Sequence, residues 1–316
     1  MPGSVRKLAR LGFRRLGVVL AVLWGAATIA FIAVKLIPGD PVSVLTGGEN
    51  VVDEAERAVL IQQYGLDQPL IVQYAHYLGN ALIGNFGQSY QYRQPVAEVI
   101  FEAAVPTLQL AGCAIVLALC LAVSSALATA GRRKGLRVAL SGLELVLLST
   151  PVYWIGIVLL TLFSFQLQWF PVTGGEGAAA LVLPSVALSL PLAALLGQVL
   201  RDGLEEALSQ PFALTVRARG VGETALRIRH GLRHAALAAS TLTGTLLAGV
   251  LSGSILTETV FGRSGIGQIT LQAIKTRDMP LVLGLVMLSA LVFVIVNLLV
   301  DALYVVIDPR LRRTAP

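Results

Sequence analysis

The chain has 316 residues, of which 55% are hydrophobic and 13% charged, and its formal net charge is +6. Soluble proteins carry about 25% charged residues, so an ordinary soluble enzyme is excluded. The positive balance is no nucleic-acid footprint either, because no basic patch is interleaved with aromatic side chains.

Uncharged runs occupy 16–34, 103–131, 145–175, 177–200, 235–257 and 279–300. Each reaches the ~18 residues that mark a candidate transmembrane helix. Backbone in lipid must bond internally, so such runs are helices. The expectation is an all-α polytopic membrane protein with six transmembrane helices. Their spans are 16–37, 105–130, 143–165, 181–200, 236–257 and 281–307.

Lys and Arg set the orientation. The basic tail at 1–15, the 131–141 turn, the 201–235 loop and the 308–316 tail together hold eighteen of them. The alternate segments hold five, Arg57, Arg93, Arg263, Lys275 and Arg277, with Lys35 at the outer end of span one. Both termini are therefore expected on the cytoplasmic side. The first apolar run is ~20 residues long and lacks a small-residue cleavage site, so it reads as a retained span rather than a signal peptide.

Span one stops at Leu36-Ile-Pro-Gly-Asp-Pro41, where two prolines and a glycine end a helix. Segment 38–104 is acidic on balance and has helical periodicity around 53–64 and 70–83. It is too short and too poor in core residues to be an independent domain, and is expected to cap the outer face. Tyr74, Tyr77, Tyr90 and Tyr92 are candidate interfacial anchors. Span two is expected to open at Pro106. Cys113 and Cys120 lie on one face of it and read as small apolar fillers.

Span three contains Ser149-Thr-Pro-Val-Tyr-Trp154, a proline expected to kink it. Glu144 near its cytoplasmic end reads as a snorkelling carboxylate, with a functional carboxylate as the alternative. Span four carries Pro184, Pro191 and Gly197, breaks that suit a bent or cavity-lining helix. Span five is rich in small residues, including Thr241, Thr243, Gly244, Thr245, Gly249, Ser252 and Gly253. These serve either close helix packing or a solute path. The outer segment 258–280 holds Phe261-Gly-Arg-Ser-Gly-Ile-Gly267, which is no nucleotide loop, since it follows no strand and lacks GK[ST]. The whole chain contains no Gly-Lys dipeptide. Span six places Asn297 and Asp301 on one face. Asp301 reads as a polar interhelical contact, with a proton relay as the alternative.

Between spans four and five lies Phe212–His234, FALTVRARGVGETALRIRHGLRH. Gln210-Pro211 starts a helix with proline at its first position, and Gly220 is placed to end it in the left-handed region. A second helix follows from Gly222 or Glu223. On it Ala225, Ile228, Leu232 and Ala235 fall on one face and Arg227, His230 and His234 on another. Phe212 and Val216 lie one turn apart. Arg217 and Arg219, two residues apart, point to opposite sides.

The stretches Thr215-Val-Arg-Ala-Arg-Gly220 and Arg229-His-Gly-Leu-Arg-His-Ala235 resemble the cytoplasmic coupling loop of ABC importer permeases. Within those they resemble the first permease subunit of the dipeptide/oligopeptide/nickel class. Supporting stretches run in the family's order: Leu36–Pro41, Tyr64–Pro69, Gly87–Tyr90, Leu251–Phe261, Gly265–Gly267, Arg277–Pro280, Asn297–Asp301 and Asp308–Arg310. Two departures are His234, where relatives usually have Asn, and Ala238, where they usually have Pro.

The resemblance implies a type I permease fold over 105–310 in a bacterial inner membrane. The implied partners are a second homologous permease, two ATPase subunits or domains, an extracytoplasmic solute-binding protein and membrane lipid, with no nucleic acid. ATP and Mg would be bound by those ATPase partners. This chain would carry no catalytic residue, cofactor or metal. The implied coupling residues are Phe212, Thr215, Val216, Arg217, Ala218, Arg219, Gly220, Glu223, Arg229, His230 and Arg233. Candidate path-lining positions are Ser149, Pro151, Tyr153, Thr245, Ser252 and Thr257. The rival expectation is an ion-coupled secondary transporter using Glu144 and Asp301.

Overall fold

In the computed structural model the apolar runs become long helices, and some continue through charged turns that the composition suggested as ends. The structure describes residues 2–36, 54–63, 65, 67–131, 134–172, 174 and 177–307. Side chains at 2–16, 34, 56, 60, 63, 237–238, 240–248, 251–252 and 299–307 are outside the description. So are the turn expected at 37–41, Asp308–Arg310, and the side chains of Ala238, Thr241, Thr243, Thr245, Ser252 and Asp301.

The helices are α1 (Pro2–Leu36), α2 (Glu54–Gln63), α3 (Leu70–Leu82), α4 (Val96–Thr129), α5 (Lys134–Ser149) and α6 (Val152–Leu159). A π-helical stretch, Leu160–Gln166, prolongs α6. Then come α7 (Ala179–Ser209), α8 (Pro211–Ala218) and α9 (Glu223–Ala225). A second π-helical stretch, Leu226–Gly231, leads into α10 (Leu232–Phe261), followed by α11 (Ile266–Lys275) and α12 (Met279–Ile307). Among the described residues there is no strand, only one isolated bridge between Gln88 and Pro95.

Among the described residues three helices are long and apolar enough to cross a membrane: α4, α7 and α12 over Met279–Leu298. A fourth arises if α5 and the α6 stretch count as one broken span. The apolar part of α1, Gly17–Ala33, is shorter. Span three, expected as one kinked helix, instead breaks at Thr150-Pro151 and bends by 105°. Pro151 lacks an amide hydrogen and disfavours helical geometry in the residue before it, so the helix stops and restarts. Pro106 does not open α4 but sits ten residues inside it, the helix starting after Pro95. Pro184 and Pro191 likewise lie inside an unbroken α7.

The chain divides into two compact units. The first comprises Met1–Ala104 and Ile269–Ile295. Here α1 meets α3: the Thr28 and Tyr74 hydroxyls lie 2.6 Å apart, and Phe31 stacks on Tyr77 with centroids 5.9 Å apart. Tyr74 and Tyr77 thus face a helix, where the sequence suggested a lipid interface. The turn after α3 is fastened by Asp278, fully buried, which accepts hydrogen bonds from Ser89 Oγ and the Gln91 amide and caps α12 at the Leu281 amide.

The second unit comprises Val105–Gln268 and Val296–Pro316, with α7 as its central helix. Leu196, Leu200 and Leu204, one turn apart on α7, fit against Ala122 and Ala126 on α4, Ala130 just past its end, and Ala235 and Ala239 on α10. Large side chains on one helix meet alanines on the others, which lets the backbones approach closely. Further along, Leu188 packs with Leu110, Ala111, Ala114 and Val250. Ile155, Leu160, Leu183, Ala187 and Phe261 form a third layer. Gly197 is a contact point rather than a flexible break: a Cβ there would lie 2.7 Å from Ser125 Oγ and 3.3 Å from Glu144 Oε1.

Candidate functional site

The basic segment after α7 folds into a short, closed element. Gln210 is extended (φ −74°, ψ 154°) and Pro211 opens α8. The helix ends in a Schellman motif: the Gly220 amide donates to Arg217 O at 2.9 Å and the Val221 amide to Val216 O at 3.4 Å. Gly220 takes φ +80°, in the region closed to most side chains. Arg217 then bridges the turn to α9, its Nε donating to Glu223 Oε1 at 2.6 Å and its Nη2 to Oε2 at 3.4 Å. This bond pulls the Glu223 carboxyl below its ordinary range and pushes the Arg217 guanidinium up.

On α8, Ala213 is fully buried, Phe212 and Val216 are half-buried, and Thr215 and Ala218 are exposed, as are Arg219 and Gly220 just past its end. Phe212 stacks on His234, with ring centroids 4.9 Å apart and planes 26° apart. The apolar side chain offered outward is Leu214, 70% exposed, which the sequence reading did not single out. Phe212 and Val216, one turn apart, share a half-buried side of α8, and Leu214 lies on the exposed side.

The second half of the loop departs from the expected facing. Leu226–Gly231 is a π-turn, which spends more residues per turn than an α-helix and shifts the phase of everything after it. Leu226 and Arg227 turn inward, whereas Ile228 is 49% exposed. Ile228 therefore leaves the expected apolar face, on which Ala235 is fully buried and Leu232 packs against the core, and Arg227 leaves the polar face expected to hold it with His230 and His234, which are exposed. Arg227 Nη2 instead donates to Gly131 O at 3.5 Å. Arg229, His230 and Arg233 are exposed.

Glu144 is also corrected. It does not snorkel; it is buried and ion-paired with Arg201 of α7, itself 2% exposed. Arg201 belongs to the set counted as cytoplasmic surface charge, so counting by sequence overstated that surface. Glu258 is likewise fully buried, and accepts hydrogen bonds from Thr107 Oγ1 at 2.6 Å and the Gly267 amide at 2.7 Å. The Phe261–Gly267 turn wraps this carboxylate: a Cβ on Gly265 would lie 2.3 Å from Glu258 Cδ. Neither pairing has a local sequence signal.

Of the candidate path positions, Ser149, Pro151 and Tyr153 are exposed. Thr257 is buried, its Oγ1 bonded to Gly253 O at 3.0 Å. Thr245 and Ser252 lie outside the described side chains. Cys113 and Cys120 are free and exposed. Among the described residues no group of His, Cys, Asp and Glu could hold a metal ion.

Long apolar helices packed on α7, with a charged helical element between α7 and α10, define a helical membrane component. The chain belongs to the family described as binding-protein-dependent transport system inner membrane components, whose model matches residues 114–313. The matching N-terminal family model covers residues 8–111.

Relatives include the glutathione transport system permease protein GsiC of Salmonella choleraesuis (strain SC-B67), 35% identical over 305 residues, 95% of this chain and 97% of that one. The GsiC of Escherichia coli (strain K12) is 33% identical over the same shares. A crystal structure of an amino acid ABC transporter with histidines matches in fold, with a TM-score of 0.52 at 15% identity, covering 66% of this chain and 94% of that one. The chain is thus the permease component of an ABC importer, and not itself an enzyme. The ion-coupled reading built on Glu144 and Asp301 is not favoured.

Proposed function

We propose that this permease forms half of an inner-membrane path for a short peptide or peptide-like solute. Glutathione is the first candidate, after the name of its relatives. Its partners are a second homologous permease, two ATPase subunits and an extracytoplasmic binding protein. Six spans with both termini cytoplasmic fit the charge asymmetry along the sequence. Hydrolysis of ATP with Mg takes place on the ATPase subunits.

The observation that carries this reading is the form of α8. It is a closed helix that buries Ala213, presents Leu214 at 70% exposure and is rimmed by Arg217 and Arg219. One apolar anchor within a charged rim suits a groove on a soluble partner. An ATPase docked there would pass its closure to the spans as a rigid-body movement.

The test is ATP-driven uptake of labelled glutathione and a labelled dipeptide into proteoliposomes holding the complete transporter. Leu214→Asp is expected to lower uptake about tenfold or more, the equivalent of ~1.4 kcal/mol at the docking site, while membrane insertion is unchanged. Normal uptake by this variant would remove the docking role from α8.

A further inference from the structure

Two ion pairs of opposite polarity join α5 to α7. Arg137 Nη1 lies 2.9 Å from Glu205 Oε2 at the more exposed end, with the side chains 47% and 27% exposed. Two turns along α5 and one turn back along α7, Glu144 pairs with Arg201, and here the side chains are only 6% and 3% exposed. The outer pair has its cation on α5; the inner pair has its cation on α7.

We propose that these pairs latch α5 and α7 into one moving body, which carries movement of the coupling element to the break at Thr150-Pro151. The inference rests on the reading that α8 receives the ATPase movement.

Polarity is what makes the arrangement a latch. Sliding the antiparallel helices by one turn would bring Arg137 against Arg201 and leave Glu144 buried without its cation. Like charges repel, and an uncompensated buried charge is strongly unfavourable. Every register but the present one is therefore penalised.

The inner pair is poorly built as a mere source of stability. Among the described residues, Glu144 Oε1 and Arg201 Nη1 have no hydrogen-bond partner. A half-satisfied buried pair contributes less than apolar packing of similar volume, and fixing register is its best-attested use. Gly197 leaves room for this pair, since a Cβ there would meet Ser125 Oγ at 2.7 Å and Glu144 Oε1 at 3.3 Å.

The latch is also placed where a lever needs it. From Arg201 to Ser209, α7 runs unbroken toward α8, a length of ~12 Å at 1.5 Å per residue. From Glu144 the distance to Thr150 along the helix is ~9 Å by the same rise. Beyond that point the chain turns by 105° into α6. Movement entering at Pro211 would then displace α5 and α7 together and be absorbed at the Pro151 bend.

The test uses the complete transporter in nanodiscs, with Cys113→Ala and Cys120→Ala. Spin labels are placed on the exposed positions of Val146→Cys in α5 and Glu206→Cys in α7. The label–label distance is measured by pulsed EPR without nucleotide and with ATP plus vanadate. With the latch intact, the distance is expected to be the same in both states.

With Glu144→Gln or Arg201→Gln it is expected to shift by about 5 Å, one helical turn, when nucleotide is added. Glu144→Arg combined with Arg201→Glu is expected to restore the single distance. If the single variants fail to fold, the apolar pair Glu144→Leu with Arg201→Met keeps the packing and is expected to show the same shift.

A nucleotide-dependent distance in the intact protein, or an unchanged one in the unlatched variants, overturns the latch. Normal uptake by Leu214→Asp would instead overturn the docking reading and leave the label distances to be judged on their own.

Discussion

Thr107 holds both ends of the turn between α10 and α11. Its Oγ1 donates to Glu258 Oε1 at 2.6 Å and accepts the Ile266 amide at 2.8 Å. One hydroxyl therefore satisfies a buried carboxylate and the first amide of α11. Thr107→Val keeps the shape and removes both bonds. The expected loss is about 2–4 kcal/mol, because each buried group left unpaired costs ~1–3 kcal/mol. Thr107→Ser keeps the hydroxyl and is expected to cost about 1 kcal/mol, the value of a buried methyl. Unfolding of the purified chain in mixed detergent micelles measures both, and equal losses would show that the hydroxyl is not what matters.

The glycines of the same turn separate two kinds of steric demand. A Cβ on Gly265 would meet the Glu258 carboxylate at 2.3–2.4 Å, whereas one on Gly267 would lie 2.3 Å from Ile255 Cα. The first neighbour is a side chain, though a tethered one; the second is backbone. Each Gly→Ala change is expected to destabilise by about 1–3 kcal/mol, as overpacking does. In a Glu258→Ala background the loss from Gly265→Ala is expected to shrink to near zero, while that from Gly267→Ala persists. A double-mutant cycle measures the difference, and equal rescue of both would refute the assignment.

The residues that were legible in the sequence are those whose role is local. Charge-free runs located the cores of α4, α7 and α12, because lipid burial is a property of a continuous stretch. Gly220 was legible because a left-handed helix end asks for glycine. The ends of α4 and α7 were not, since hydrogen bonding along a helix continues through Glu98, Glu102, Asp202 and Glu205 regardless of side-chain polarity. The π-turn at Leu226–Gly231 left no signal in hydrophobic spacing, and it reversed the facing of Arg227 and Ile228. Long-range partners were also invisible. Glu144 looks like a snorkelling acid until Arg201, 57 residues away, is brought beside it.

Gly220 and Gly222 are expected to respond oppositely to the same substitution. No atom lies within 4 Å of a Cβ at either position, so space does not decide. Gly220 has φ +80°, while Gly222 has φ −65° and ψ 152°. Ala at Gly220 must adopt a left-handed conformation at a cost of about 1–2 kcal/mol. Ala at Gly222 already fits and is expected to stabilise the loop by ~0.4–1 kcal/mol through the unfolded chain. Hydrogen exchange of the 216–222 amides in nanodiscs should quicken in Gly220→Ala and slow in Gly222→Ala. Faster exchange in both would show that flexibility, not the sign of φ, is the requirement.

The Arg217–Glu223 bridge gives the α8–α9 turn a defined pH dependence. The hydrogen bond from Arg217, aided by its charge, lowers the folded-state pKa of Glu223. A depressed carboxyl pKa contributes stability that is present above the unfolded value of about 4.3. That contribution is lost as pH falls through the lower folded value. The loop is therefore expected to be unaffected between pH 8 and 6 and to loosen in acid, below the ordinary carboxylate range. Both side chains are solvent-exposed, so salt should weaken the same contact. Hydrogen exchange over 217–225, corrected for the intrinsic pH dependence of exchange, measures it. Protection in the wild-type loop is expected to fall in acid to the level of Glu223→Gln, whose own corrected protection stays flat with pH. Identical protection of the two proteins at neutral pH would mean that the bridge does not hold the turn.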